Sequence, residues 1–159
     1  MIEIALAAES PLWAELGDVE ALARRAVDAA LAAARPSLSD ACEVSILLGD
    51  DAALRELNRA WRGRDGATNV LSFPAAPQPG APGPRSLGDI ALAFETLRRE
   101  AEAEGKSLAD HASHLIIHGL LHLLGFDHER AGDADEMEAL EIEALRRLGI
   151  GNPYRDLAA

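Results

Sequence analysis

The sequence predicts an α+β fold: a mixed four-stranded sheet packed with helices, with a central buried helix that carries histidines. Three observations predict it. Segments alternate as strand, helix, strand, helix, two strands, then three helices, so the helices collect in the back half. No glycine-rich phosphate loop follows any strand, which argues against a doubly wound fold. Between Ser107 and Leu124 the chain is apolar almost all round, as a helix buried on every side must be.

The elements follow in order. Residues 2–7, IEIALA, read as a first strand. Asp18 caps a helix to about Ala34 whose apolar face includes Leu22, Ala23, Ala26, Val27 and Ala30, and Arg35-Pro36 ends it. Residues 42–48, CEVSILL, form a second strand with an apolar end that suits a central place in the sheet. Asp50 or Asp51 caps a short helix to about Trp61, with Leu54 and Leu57 turned inward. After a turn at 63–66, residues 68–73, TNVLSF, form a third strand that stops at Pro74.

Residues 74–86, PAAPQPGAPGPRS, hold five prolines and two glycines and form neither regular element. They read as a proline-rich loop between two strands. Residues 87–93, LGDIALA, are the fourth strand, and a helix runs from about Phe94 to Glu104. Ser107 and Asp110 resemble a capping box at the start of the histidine helix. The last helix, marked by Asp133 and Glu136, turns Met137, Leu140, Ala144, Leu145 and Leu148 inward and ends at Gly149.

At 159 residues the chain reads as one domain, 1–159, large enough for a hydrophobic core. Its one cysteine, Cys42, excludes an intrachain disulfide, reads as buried filler and suits a reducing compartment. With no secretory leader and no membrane-length apolar run, the expected location is cytoplasmic. A formal net charge of -12 does not advertise a nucleic-acid partner. Locally, however, RELNRAWRGR at 55–64 sets Arg55, Arg59, Arg62 and Arg64 against Glu56 alone. Charge by itself leaves a phosphate-binding patch and a merely solvated helix equally open.

The chemistry is concentrated in HASHLIIHGLLHLLGFDH, 111–128, which contains all five histidines. His118 and His122 are four apart, one turn of the same helical face. Gly125 can turn the chain back so that His128 closes on the same point. Three neutral imidazoles with a fourth position open are the ligand set of a catalytic zinc site. Burying several imidazoles without partners would cost an ordinary core free energy, which favours metal binding. The zinc-peptidase motif H-E-x-x-H has its general base directly after the first histidine, where this chain has Gly119. Glycine cannot accept a proton, so peptide hydrolysis by that route lacks its base.

HGLLHLLGFDH at 118–128, LNRAWRGRDGATNVLSFP at 57–74 and LGDIALA at 87–93 together resemble the YbeY family of bacterial endoribonucleases, the rRNA maturation factors. The resemblance spans nearly all of the chain after residue 40. It implies metal ligation by His118, His122 and His128, one Zn2+ per chain, and functional roles for Arg59 and His114. It further implies a single-strand-specific endoribonuclease acting in 16S rRNA 3'-end maturation and ribosome quality control. The expected partners are single-stranded RNA, rRNA and ribosomal proteins or the small subunit, with no DNA and no membrane. The proline-rich loop is longer than the family suggests.

Residue chemistry fits the assignment in part. Zinc lowers the pKa of water or polarises a phosphoryl oxygen, and an arginine fork such as that of Arg59 suits nonbridging phosphate oxygens. His114 reads as a proton relay, a phosphate contact or a buried hydrogen-bonded histidine. Asp127 reads as a base or as a carboxylate that orients a ligand ring. Ser72, Asn69 and Asp89 read as positioning groups, and His111 as a solvated helix start. Trp61 reads as core before it reads as a stacking ring. Whether water or the RNA 2'-OH attacks stays open. Two other classes stay alive: a non-catalytic ribosome assembly factor stapled by zinc, and a metal-dependent hydrolase of a peptide or small amide.

Overall fold

The computed structural model describes residues 2–38, 41–66, 68–76, 80, 83–126 and 131–154. His128, Asp127 and the loop positions 77–79, 81 and 82 lie outside the described residues. The strands are β1 (Ile2–Ala8), β2 (Cys42–Gly49), β3 (Val70–Pro74) and β4 (Arg85–Ala93). The helices are α1 (Val19–Ala34), α2 (Asp51–Arg62), α3 (Phe94–Glu104), α4 (Leu108–Leu123) and α5 (Ala131–Arg147). The sheet order is β1-β2-β4-β3. β1, β2 and β4 run parallel, and β3 pairs antiparallel with β4 as an edge strand. The mixed four-stranded sheet expected from the sequence is therefore present, with β2 inside it.

Strand alternation divides the core in two, one part on each face of the sheet. Val44, Ile46, Leu48, Ile90 and Leu92 join residues of α1, α4 and α5 in the main core. The opposite face presents Leu71, Phe73, Ala91 and Ala93 to Leu54 and Leu57 of α2. α2 and the histidine helix α4 thus lie on opposite faces of the sheet. Cys42 is buried within the main core, as expected of a filler residue.

Most caps are the ones the sequence marks. Asp18 accepts from the Ala21 amide at 3.0 Å, Asp50 from Ala53 at 2.8 Å, and Ser107 from Asp110 at 3.1 Å. A short 3-10 helix, Pro11–Leu16, has no counterpart in the sequence reading because six residues carry too little periodicity to register. Its Trp13 indole donates to the Gly49 carbonyl at 2.8 Å and packs edge-on against Phe94 at 5.2 Å, which closes the end of the core.

Two glycines let backbones approach where no side chain fits. Gly88 has φ +129°, and a Cβ there would lie 2.2 Å from the Phe73 carbonyl oxygen. In mid-helix, a Cβ on Gly119 would lie 2.9 Å from Ile90 Cγ2 and 3.1 Å from Ser72 Oγ. Gly119 therefore seats α4 directly on β3 and β4, and Ser72 Oγ donates to its carbonyl at 3.3 Å.

Candidate metal centre

α4 is held on four sides, by α1, α3, α5 and the sheet, and this fixes where its histidines point. The helix ends at Gly125, as the sequence predicts. Gly125 takes φ +102°, and the Phe126 amide donates to the Leu121 carbonyl at 3.0 Å. The residues that follow, including the third candidate ligand His128, are outside the described set.

His114, His118 and His122 occupy successive turns of one face of α4. The Nε2 atoms of His118 and His122 converge to 3.2 Å. Two zinc–nitrogen bonds of about 2.0–2.1 Å at a tetrahedral angle would set their nitrogens about 3.3 Å apart. The observed separation is thus in the range of two ligands of one ion, and equally in that of a hydrogen bond between the rings. Among the described residues no group of three metal-ligating side chains is assembled.

The other nitrogen of His118 is committed. Its Nδ1 pairs with Glu141 Oε1 of α5, while Glu141 Oε2 is 3.3 Å from His114 Nε2 and accepts from the Tyr154 hydroxyl. Glu141 is 0% exposed. Burial alone would raise its carboxyl, but the hydrogen bonds from His114, His118 and Tyr154 outweigh that and hold it at about 2. Burial, together with the Glu141 carboxylate beside it, pushes the Tyr154 phenol up. His114 also meets the rings of Tyr154 and His118 edge-on, at 5.8 and 6.4 Å.

Local sequence explains how these groups arrive. Glu141 lies four residues from both Met137 and Leu145, so it belongs to the buried stripe that α5 turns inward. Gly149, at φ +76°, ends α5, and a turn in which Tyr154 N donates to Asn152 Oδ1 at 2.8 Å lays the tyrosine over the carboxylate. Sequence reasoning missed both residues. A lone carboxylate inside the apolar period of α5 was the available signal for Glu141; Tyr154 carried none.

A cleft of about 460 Å³ opens beside these groups, lined by Asn69, Glu100, His111, His114, His118 and Tyr154 among others. Its floor corrects one expectation. His111 is no solvated helix start: it is 5% exposed, with Nε2 at 2.9 Å from Glu100, because α3 packs over that turn. Asn69 also donates to Glu100, at 3.0 Å.

The structure does not bring Arg59 against the histidines among the described residues. Its side chain is 61% exposed on α2 and is paired with Glu56 at 2.6 Å. Arg55 is likewise paired, with Asp65 at 2.7 Å. Arg62 reaches the edge strand, donates to the Ser72 carbonyl at 3.0 Å and sits over the Phe73 ring. Trp61, expected in the core, is 74% exposed: the indole only tilts against Phe73, at the side of an open groove over the sheet. Asp89 faces α2, where it lines a groove with Trp61, Leu57 and Phe73.

A sequence model described as Endoribonuclease YbeY matches residues 10–149. The chain belongs to the YbeY family. Proteins named Endoribonuclease YbeY from three bacteria illustrate the similarity. That of Bradyrhizobium diazoefficiens is 49% identical over 160 residues, covering 98% of this chain and 86% of the relative. That of Nitrobacter hamburgensis is 53% identical over 146 residues, covering 89% and 76%. That of Paramagnetospirillum magneticum is 50% identical over 159 residues, covering 96% of each. The solution structure of TM1509 from Thermotoga maritima shares the fold, with a TM-score of 0.57 at 20% identity over 98% of this chain and 100% of that one. YbeY membership makes this chain a homologue of metal-dependent endoribonucleases implicated in rRNA processing. No described helix is long and apolar enough to cross a membrane.

Proposed function

We propose that residues 1–159 form one domain that cleaves single-stranded RNA internally, with one Zn2+ held by His118, His122 and His128. Its setting would be 16S rRNA 3'-end maturation and ribosome quality control, with rRNA and small-subunit proteins as partners. The observation that carries this reading is the convergence of His118 and His122 Nε2 at 3.2 Å in a member of the YbeY family. When bound, zinc supplies a Lewis acid for a phosphoryl oxygen and for water. A cytoplasmic location accords with these partners.

The chain's own residues bind and orient the substrate. Arg59 is the proposed phosphate clamp. Its pairing with Glu56 is solvent-exposed, so exchanging that partner for a phosphate costs little. The edge strand β3 connects the two faces: Arg62 of α2 bonds its Ser72 carbonyl, and Ser72 Oγ touches Gly119 of α4. RNA crossing that edge could meet Arg59 and the exposed Trp61 on one side and the histidines on the other. A flexible single strand can follow such a path more easily than a duplex. His114 is the proposed proton relay, with Nε2 at Glu141 and Nδ1 without a hydrogen-bond partner among the described residues.

Peptide hydrolysis is disfavoured for a packing reason as well as a chemical one, since the position that would carry the base is pressed against Ile90. Purified variants test the proposal on an unstructured RNA of defined sequence. His118→Ala abolishes cleavage, and Arg59→Glu lowers it at least about tenfold, roughly 1.4 kcal/mol of transition-state stabilisation, with unchanged folding. A 2',3'-cyclic phosphate product identifies the 2'-OH as nucleophile, and a linear 3' end favours water. Full cleavage by His118→Ala would contradict the reading.

A further inference from the structure

We infer that Glu141, locked by Tyr154, is a positioning residue that fixes His118 in the tautomer and orientation a metal requires. The inference rests on the metal reading above and deepens it. A carboxylate can only accept hydrogen bonds, so the Glu141 contact puts the His118 proton on Nδ1. The lone pair then lies on Nε2, the atom that faces His122 Nε2 at 3.2 Å. An imidazole without such a partner exchanges tautomers and turns about its side-chain bonds, and a ligand must do neither.

The surroundings of Glu141 suit this role better than a purely structural one. It is 0% exposed, and both of its ion-pair partners among the described residues are histidines of α4. A buried carboxylate serving the fold alone would be expected to take an arginine, a lysine or backbone amides. Here it faces His118, one of the two convergent histidines, and His114, one turn before it. Tyr154 donates to Oε2 and His114 lies 3.3 Å from the same atom, so that side of the carboxylate is occupied and Oε1 is left to His118. The ordering runs from the turn at Asn152, through Tyr154 and Glu141, to the ring on α4.

Zinc affinity of the full-length chain tests this by competition with a chromogenic chelator, in the wild type, Glu141→Gln and Tyr154→Phe. Thermal unfolding of each metal-free protein and the visible spectrum of its cobalt-loaded form accompany it. Glutamine keeps the shape and one acceptor but removes the charge. The expected result is a zinc affinity about 10–100-fold weaker in Glu141→Gln and a smaller loss in Tyr154→Phe. The cobalt bands should shift in Glu141→Gln, a change that loss of stability alone would not cause. Unchanged zinc affinity and an unchanged cobalt spectrum in Glu141→Gln overturn the inference while leaving the metal site standing. Should Glu141→Gln fail to fold, unchanged affinity in Tyr154→Phe overturns it instead. A wild-type chain that takes up no zinc overturns the inference together with the reading beneath it.

Discussion

Gly119 shows how one residue can serve packing and chemistry together. Without a side chain it lets α4 rest on Ile90 and Ser72, and this closeness seats the helix that carries His118 and His122 on the sheet. In the sequence it reads as the loss of a peptidase base, which is correct chemistry. The packing reason was not legible, because it depends on which strands lie beneath the helix. Restoring the peptidase letter with Gly119→Glu drives a carboxylate into buried, β-branched Ile90. It is predicted to destabilise the protein by about 3 kcal/mol or more in urea unfolding and to confer no peptidase activity. A stable Gly119→Glu protein would contradict the account of the helix seat. Glu141 poses the complementary case. The sequence reading passed over it, and only its register with Met137 and Leu145 marks it as facing inward.

At the scale of elements, the starts of α2 and α3 cap one another. Asp51 Oδ1 accepts from the Thr96 amide at 3.0 Å and from its hydroxyl at 2.8 Å, while Glu95 Oε1 accepts from the Asp51 amide at 2.9 Å. α3 has no side-chain cap from Ala93, so Asp51 does that work from the neighbouring helix. Burial raises the Asp51 carboxyl, but hydrogen bonds from Thr96 and Arg99 more than offset it and hold the group below the usual aspartate range. A carboxyl depressed on folding contributes stability that is full above its unfolded pKa of about 3.9 and is lost as pH falls through the folded value. Asp51→Ala is therefore predicted to cost about 1–2 kcal/mol at pH 7, with the gap to wild type narrowing below about pH 4 in thermal melts. A gap that does not change with pH would contradict the charge-based account. Local caps such as Asp18, Asp50 and Ser107 were legible because donor and acceptor lie three residues apart. The Asp51–Thr96 bracket, the burial of His111 by α3 and the exposure of Trp61 were not, since each depends on contacts between elements distant in sequence.

Across the whole molecule, hydrophobic periodicity and turn residues placed the four strands and five helices to within a few residues. β3 takes in Pro74 and β4 begins at Arg85, both inside the stretch read as loop, because ladder pairing with neighbouring strands extends them. The helical back half gave the class. The order β1-β2-β4-β3 was not legible, because nothing local tells β4 to insert between β2 and β3. The same sheet separates Arg59 from the histidine helix, the two parts the sequence reading joins in one mechanism as clamp and metal site. Their cooperation therefore needs a substrate long enough to cross the β3 edge. If a zinc ion at His118, His122 and His128 drives RNA cleavage, titrating zinc into the metal-free protein restores it. Initial cleavage rate on an unstructured RNA is followed against zinc bound per chain. The account predicts negligible cleavage without metal and a rate that rises in proportion to bound zinc, levelling off at one ion per chain. Cleavage by the metal-free protein at the zinc-loaded rate would contradict it.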